Sequence, residues 1–218
     1  MNLSFLHTME SNIALFALAA GKAGWSPDQV HHTVRADLRQ VISAQPTDRN
    51  SAHALVHETL RELAAGANAM VVTCATLGPA VDTMGALDIP VIRADAALAE
   101  AASRAGKHIV VLCALEASIA PSRVLFEQYA SRTGATVTVR LIPDAWAHYQ
   151  DGQHAACMAI CAQAAQEARD EGFDVVAFAH PWMAAAAELA DDHCRPLDSV
   201  QAALDAARAA SRPRDNAG

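Results

Sequence analysis

Residues 69–79 read AMVVTCATLGP, and they carry the clearest indication of the fold class. It begins as a short apolar run rich in valine, which is typical of a buried β-strand. Cys74 stands where that strand is expected to end, and Pro79 follows where a helix can begin. A buried strand that passes directly into a helix is the repeating unit of a parallel α/β sheet. The stretch therefore predicts an α/β protein with a thiol at the carboxyl end of a strand.

Outward from this stretch, short β-branched runs alternate with longer helical runs along the whole chain. The predicted strands are residues 3–8, 29–34, 69–74, 90–93, 108–113, 136–142 and 174–179. The predicted helices are residues 10–24, 50–66, 79–85, 95–106, 121–134, 152–172, 182–190 and 199–211. This order of elements is that of doubly wound parallel sheets, in which ligands bind at the carboxyl ends of the strands.

The order of elements begins again near residue 108. Thr8 lies 66 residues before Cys74 and Ala114 lies 66 before His180, so one offset of 106 superposes the first and third strands of the two halves. The same offset lays residues 31–35 on 137–141, inside the two middle strands. We therefore expect two pseudo-symmetric, doubly wound parallel-sheet lobes with the active site in the cleft between them.

The expected lobes have the following boundaries. Residues 1–94 form the first lobe, and a C-terminal helix at about 198–211 packs back on it. Residues 95–197 form the second lobe, and residues 212–218 are a tail.

Composition and charge exclude several classes of protein. The chain has 218 residues, of which 52% are hydrophobic, so it can bury a core and is not disordered. A net charge of −8 argues against nucleic-acid binding. No apolar run reaches the ~20 residues of a membrane span, and no basic segment marks a signal peptide. We expect a cytoplasmic protein without a membrane partner.

No metal site is predicted. The five cysteines lack the spacing of a zinc site, and we expect them to be free thiols in a reducing compartment. His31 and His32 are adjacent in a strand, so they point to opposite faces and do not form a ligand pair. The cluster Asp191-Asp192-His193 is interpreted as a solvated loop.

Cys74 is the first candidate catalytic residue. Amides at the start of the following helix, those of Ala75 and Thr76, favour the thiolate form of a thiol and can hold a carboxylate. The Thr76 hydroxyl adds a further donor. The alternative is that Cys74 is a buried and inert core residue.

His180 is the second candidate, because it closes the last long strand in the segment Ala179-His180-Pro181-Trp182-Met183. An imidazole can carry a proton near neutral pH. The alternative is a histidine that caps a local turn. Cys113 also stands at a strand end, and we interpret it as a packing residue.

Three motifs give the chain a resemblance to a known family. They are TCATLGP at 73–79, LHTMESN at 6–12 and DVVAFAHPWM at 174–183. With these motifs the chain resembles the aspartate/glutamate racemase superfamily, which includes hydantoin racemases, maleate isomerases and arylmalonate decarboxylases, over roughly residues 1–210. The resemblance implies two α/β lobes, no cofactor, a small carboxylate-bearing substrate, a homo-oligomer such as a dimer, and two cysteines that face each other across the cleft.

The resemblance also assigns roles to residues. Cys74 matches the first family cysteine, whereas the position of the second is occupied by His180. Ser11 and Asn12 resemble the polar loop with which the family holds a substrate carboxylate or amide, and the alternative is that they cap the first helix.

The remaining candidates for substrate binding lie near the same strand ends. They are Thr8, Glu116, Ser118 and Pro181. A carboxylate at Glu116 would suit a substrate ammonium group, and a solvated surface is the alternative. Trp182 is either a roof over the substrate or a core residue.

These residues support three functions. The first is a cofactor-independent racemase, epimerase or isomerase that uses Cys74 and His180 as opposing acid and base. The second is a decarboxylase, lyase or hydrolase of the same superfamily that uses one thiol. The third is a non-catalytic protein that binds a small ligand.

Overall fold

The computed structural model describes residues 1–44, 49–190 and 195–210, and these residues contain two four-stranded parallel sheets. The first sheet has the order β2-β1-β3-β4 and the second the order β6-β5-β7-β8. Their strands are β1 (Leu3–His7), β2 (Val30–Val34), β3 (Ala69–Val72), β4 (Val91–Arg93), β5 (His108–Cys113), β6 (Thr136–Leu141), β7 (Val175–Phe178) and β8 (Leu197–Asp198).

Helices follow the strands, as a parallel sheet requires. They are α1 (Ser11–Lys22), α2 (Ala36–Ala44), α3 (Arg49–Ala64), α4 (Gly78–Asp82), α5 (Ala94–Ala105), α6 (Ile119–Ala130), α7 (Ala145–Gln150), α8 (His154–Asp170), α9 (Ala184–Ala187) and α10 (Ser199–Ala210). Within the described ranges, no helix is long and apolar enough to cross a membrane.

The chain divides into two compact units. Among the described residues, unit 1 comprises Met1–Asp95 together with residues 203–210, and unit 2 comprises Ala96–Ala202. The division falls inside α10, whose last residues belong to unit 1.

The two units repeat the same architecture, which confirms the pseudo-symmetry predicted from the sequence. The register of the first sheet pairs Leu3 with Ala69, and the second pairs Ile109 with Val175, again at an offset of 106. Both sheets also have the same strand order when the strands of each are numbered from its own start. The offset of 106 therefore aligns β1 with β5 and β3 with β7, whereas the outer strands of the two sheets differ in register by one residue.

Several predicted boundaries were wrong. β3 ends at Val72 and β7 at Phe178, each before the predicted end, because the residues that follow turn into a 3-10 segment. The helix predicted at 182–190 is a 3-10 turn followed by the short α9. Three elements were not predicted, namely α2, α7 and the two-residue β8. The predicted loop at 191–193 and the tail at 212–218 lie outside the described residues.

Each sheet has two inner strands that are buried on both faces, as expected for sheets covered by helices. They are β1 and β3 in unit 1, and β5 and β7 in unit 2. In unit 2, Val110 and Leu112 face one hydrophobic cluster, whereas Ile109 and Val111 face the other. In unit 1, Leu6, Met70 and Val72 pack against Leu38 of α2 and other buried residues. This burial fixes the register of the strands and thereby the position of every side chain at their carboxyl ends.

Candidate active site

The thiol in unit 1 lies on a short segment, residues 73–78, which we call the thiol loop. Cys74 is half-buried and extended, with φ −106° and ψ 114°. It precedes a 3-10 turn at Ala75–Leu77, in which the Leu77 N–H donates to the Cys74 carbonyl at 3.1 Å. α4 begins at Gly78 immediately afterwards. The thiol thus lies at the edge of the hydrophobic cluster of unit 1, packed against it but half-exposed.

The thiol loop also presents backbone donors. The turn's first hydrogen bond is made by Leu77, so the amides of Ala75 and Thr76 have no acceptor within the turn. Ala75 is exposed and Thr76 is half-buried. Two such amides beside a thiol are suited to hold one end of an anion.

A chain of hydrogen bonds lies behind the thiol loop. The Thr73 hydroxyl donates to the Leu6 carbonyl at 3.2 Å and lies 2.9 Å from Nδ1 of the fully buried His7. Nε2 of His7 lies 2.9 Å from Nδ1 of His32 on β2. The buried Asn12 reaches the same threonine oxygen with its amide nitrogen at 3.5 Å. These contacts join the ends of β1 and β3 to the middle of β2 and to α1, next to Cys74.

The direction of these hydrogen bonds follows from the threonine. The Thr73 hydroxyl donates its one hydrogen to the Leu6 carbonyl, so its oxygen can only accept a hydrogen bond from Nδ1–H of His7. Nε2 of His7 then accepts from Nδ1–H of His32. Burial, and secondarily the neighbouring His32, lowers the pKa of His7 from 6.5 to about 4. Burial therefore favours a neutral His7, whose unprotonated Nε2 accepts the hydrogen bond from His32.

The imidazole in unit 2 lies in the equivalent place, on residues 180–183, which we call the imidazole loop. His180 is extended, with φ −108° and ψ 136°, and it precedes a 3-10 turn at Pro181–Met183. The Met183 N–H donates to the His180 carbonyl at 3.0 Å. His180 and Cys74 thus occupy the same structural position, one in each unit.

Aromatic residues surround His180. Its ring stacks on Trp182, with centroids 5.7 Å apart and planes 3° apart. Trp182 stacks on Tyr149 of α7 at 4.4 Å, and Trp146 lies beside both rings. Burial lowers the pKa of His180 from 6.5 to about 4. Its Nε2 atom is buried and has no hydrogen-bond partner among the described residues.

The structure brings some of the other predicted residues to these loops. β1 pairs with β3, so Thr8, Ser11 and Asn12 lie beside the thiol loop at the same edge of the first sheet. Thr8 and Asn12 are buried and Ser11 is exposed. Glu10 occupies the N-cap of α1 without a side-chain cap, so the capping role considered for Ser11 and Asn12 is wrong.

The candidates in unit 2 lie beside the imidazole loop. Glu116 and Ser118 form a 3-10 turn after β5, which pairs with β7. Glu116 is exposed, and Ser118 and Pro181 are half-buried. Pro181 has no amide hydrogen, so the turn in unit 2 offers one backbone donor fewer than the turn in unit 1.

The remaining described thiols are in the core. Cys113 is fully buried, its Sγ lies 3.7 Å from the Ser122 hydroxyl, and burial raises its pKa. This confirms its interpretation as a packing residue. Cys157 and Cys161 are also fully buried, and burial raises the pKa of both thiols. In the described ranges, no group of three or more His, Cys, Asp or Glu side chains could hold a metal ion.

Sequence reasoning missed the residues that support the two candidates. Thr73, His32 and Tyr149 received no role, although each lies in the shell around Cys74 or His180. The signal for Thr73 was a polar residue at the end of an otherwise apolar strand. No feature of the sequence marks Tyr149, which lies in α7 after β6. Its contact with Trp182 is visible only once α7 has folded.

Comparisons with known proteins agree with this architecture. The family model described as Asp/Glu/Hydantoin racemase matches residues 14–212. The structure is similar to the aspartate racemase of Picrophilus torridus, with a TM-score of 0.68 and 12% identity over 96% of this chain and 93% of that one. No curated protein sequence matches the chain.

Two further solved structures extend the comparison. A glutamate racemase from Bacillus anthracis gives a TM-score of 0.63 at 15% identity, over 95% of this chain and 80% of that one. The allantoin racemase of Pseudomonas fluorescens gives 0.56 at 18% identity, over 96% and 90%. These structures share the two-unit α/β fold, and the family match shows that the chain belongs to the Asp/Glu/hydantoin racemase family.

Proposed function

We propose that this protein is a cofactor-independent racemase, epimerase or isomerase of a small carboxylate-bearing substrate such as an amino acid. The observation that carries the proposal is the equivalence of Cys74 and His180, which occupy the same strand-end position in the two units. Inversion at a carbon needs one group that removes a proton and a second that returns one on the other face. Two proton-carrying groups on matched turns meet this need.

The thiol loop supplies the carboxylate site of the proposal. The amides of Ala75 and Thr76 are suited to bind the carboxylate and to stabilise the negative charge that develops when the α-proton leaves. The neighbouring loop adds Thr8, Ser11 and Asn12. In unit 2, Glu116 and Ser118 are proposed to contact the substrate's other substituents.

The proton balance follows from the protonation of His180. In one direction, neutral His180 removes the α-proton and the Cys74 thiol returns one. In the other direction, the Cys74 thiolate removes the proton and protonated His180 returns one. Because burial lowers the pKa of His180 to about 4, its neutral form dominates at pH 7. We therefore expect the two directions to differ in rate.

Single-thiol chemistry is a second candidate function. The weak basicity of His180 and its aromatic surroundings support it, because stacked rings exclude water and favour an apolar substituent. In that reaction a substrate carboxylate leaves as CO2, and the Cys74 thiol protonates the carbanion that remains. The same active thiol would serve a different reaction.

A substrate panel in D2O tests the proposal. Amino acids, hydantoins, malonates and maleate are incubated with the wild-type protein and followed by proton NMR at pH 7. Loss of an α-proton signal with inversion supports racemisation, whereas CO2 release supports decarboxylation. The Cys74→Ser variant should neither invert nor decarboxylate any substrate of the panel, and Cys113→Ser serves as the control because that thiol is buried in the core. Equal activity of the Cys74→Ser variant and the wild type would refute both functions.

A further inference from the structure

Arg93 ends β4, and its guanidinium lies against Gly78, the first residue of α4. A Cβ atom at Gly78 would overlap Nη2 and Cζ of Arg93 and lie 2.8 Å from its Nε. Gly78 has φ −51° and ψ −51°, which are ordinary helical values. Glycine is therefore required here for space and not for backbone conformation.

Two carboxylates hold this guanidinium in place. Nη1 donates to Asp82 at the end of α4, and Nε and Nη2 donate to the two oxygens of Asp95 in α5 at 3.2 and 2.7 Å. Only 11% of the Arg93 side chain is exposed. Arg93 therefore contacts both ends of α4 and joins that helix to Asp95 within unit 1.

Unit 2 provides an internal comparison. The sheet register places Arg93 opposite Val72 in unit 1 and Asp198 opposite Phe178 in unit 2. Asp198 has a different role, because it accepts hydrogen bonds from two amides at the start of α10. Ala184 begins α9 where α4 begins with glycine. The fold thus builds this short helix without an arginine, and the arginine belongs to the unit that carries the thiol.

We propose that Arg93 is a positioning residue that fixes α4 and thereby orients the thiol loop. This inference rests on the proposed function, in which Cys74 is the reactive thiol. α4 begins at the last residue of the thiol loop, so a shift of the helix moves the amides of Ala75 and Thr76 relative to the Cys74 sulfur. Catalysis is sensitive to such shifts, since misplacement by about 1 Å can cost about a hundredfold in rate.

Alkylation of Cys74 by iodoacetamide tests this role without a substrate. The rate constant is measured against pH by peptide mass in the wild type and in Arg93→Met. We expect the pH of half-maximal alkylation to rise and the rate at pH 7 to fall about threefold, the size of a helix-terminus effect on a charge. A defect in folding alone would lower the melting temperature and leave this pH profile unchanged.

Arg35→Met is the matched control. Arg35 directly follows β2 of unit 1, and its guanidinium donates to both carboxylate oxygens of Asp37, two residues later, at 2.9 and 2.8 Å. Its third contact is with Thr59 on α3, not with α4. We expect Arg35→Met to leave the alkylation profile unchanged. An equal shift in both variants would overturn the assignment.

A second substitution keeps the test valid if Arg93→Met does not fold. Gly78→Ala retains every charge but displaces the guanidinium, so it should shift the profile in the same direction. A wild-type profile in either folded variant would overturn the role of Arg93. This outcome differs from failure of the proposed function, which is read from the activity of Cys74→Ser.

Discussion

His7 is a buried histidine that folding keeps neutral, and this predicts a specific loss of stability in acid. Its pKa is 6.5 before burial and about 4 in the folded protein. Between these values the unfolded chain binds a proton that the folded chain does not. The free energy of unfolding therefore falls as the pH falls from 6.5 to 4. Above pH 6.5 His7 is neutral in both the folded and the unfolded chain, and it causes no loss of stability.

The size of the effect follows from the shift. Each pH unit in this window costs about 1.4 kcal/mol, so His7 alone costs about 2 kcal/mol at pH 5 and about 3 kcal/mol at pH 4. Protonation of His7 would place a positive charge among the buried contacts with Thr73 and His32. Acid should therefore loosen these contacts behind the thiol loop.

Urea unfolding of the wild type and His7→Gln, measured from pH 7.5 to 4.5, isolates this contribution. Glutamine keeps a donor and an acceptor but does not titrate. At pH 7 we expect the variant to be less stable by about 2 kcal/mol, because the ring packing with Phe5 and Phe16 is lost. The difference should shrink by about 2 kcal/mol at pH 5.

The control is His31→Gln, on the exposed neighbour in β2. We expect this surface substitution to change stability by less than about 0.5 kcal/mol at every pH. A difference between wild type and His7→Gln that stays constant with pH would refute the claim that His7 is neutral in the folded protein.

Three further predictions concern the two loops. Iodoacetamide at pH 7 should label Cys74 before Cys113 or Cys157, which are fully buried, and earlier labelling of either would contradict the assignment of the active thiol. Cys74→Ser should lose activity while its free energy of unfolding, measured in urea, changes by less than about 1 kcal/mol. Replacing Trp182 by Leu should admit water to His180 and raise its pKa from about 4 toward 6.5, as read by NMR titration; a pKa that stays near 4 would show that other groups bury the ring.

Much of the fold could be predicted because buried parallel strands leave a strong signal. The strand at 108–113 matches β5 at both ends, and its apolar run begins directly after the polar residues Lys107 and His108. β8 has two residues, too few to show any alternation. α2 was missed because residues 36–44 mix charged and β-branched residues, and its position depends on packing through Leu38.

Part of the candidate site could likewise be predicted from the sequence, and part could not. Cys74 and His180 were identifiable because their chemistry and strand-end positions are visible in the sequence. The contacts of His7 with Thr73 and His32 were not, since they join residues 66 and 25 positions apart. The role of Gly78 was also hidden, because only the structure brings Arg93 against it.

The most direct test of the account is proton exchange of single enantiomers in D2O. The substrate found in the panel is supplied as each pure enantiomer to the wild type, to Cys74→Ser and to His180→Asn, and α-deuteration is followed by NMR. We predict that each variant exchanges the proton of one enantiomer only, that the two variants act on opposite enantiomers, and that neither inverts its substrate. Inversion of both enantiomers by His180→Asn at the wild-type rate would contradict the pairing of Cys74 with His180.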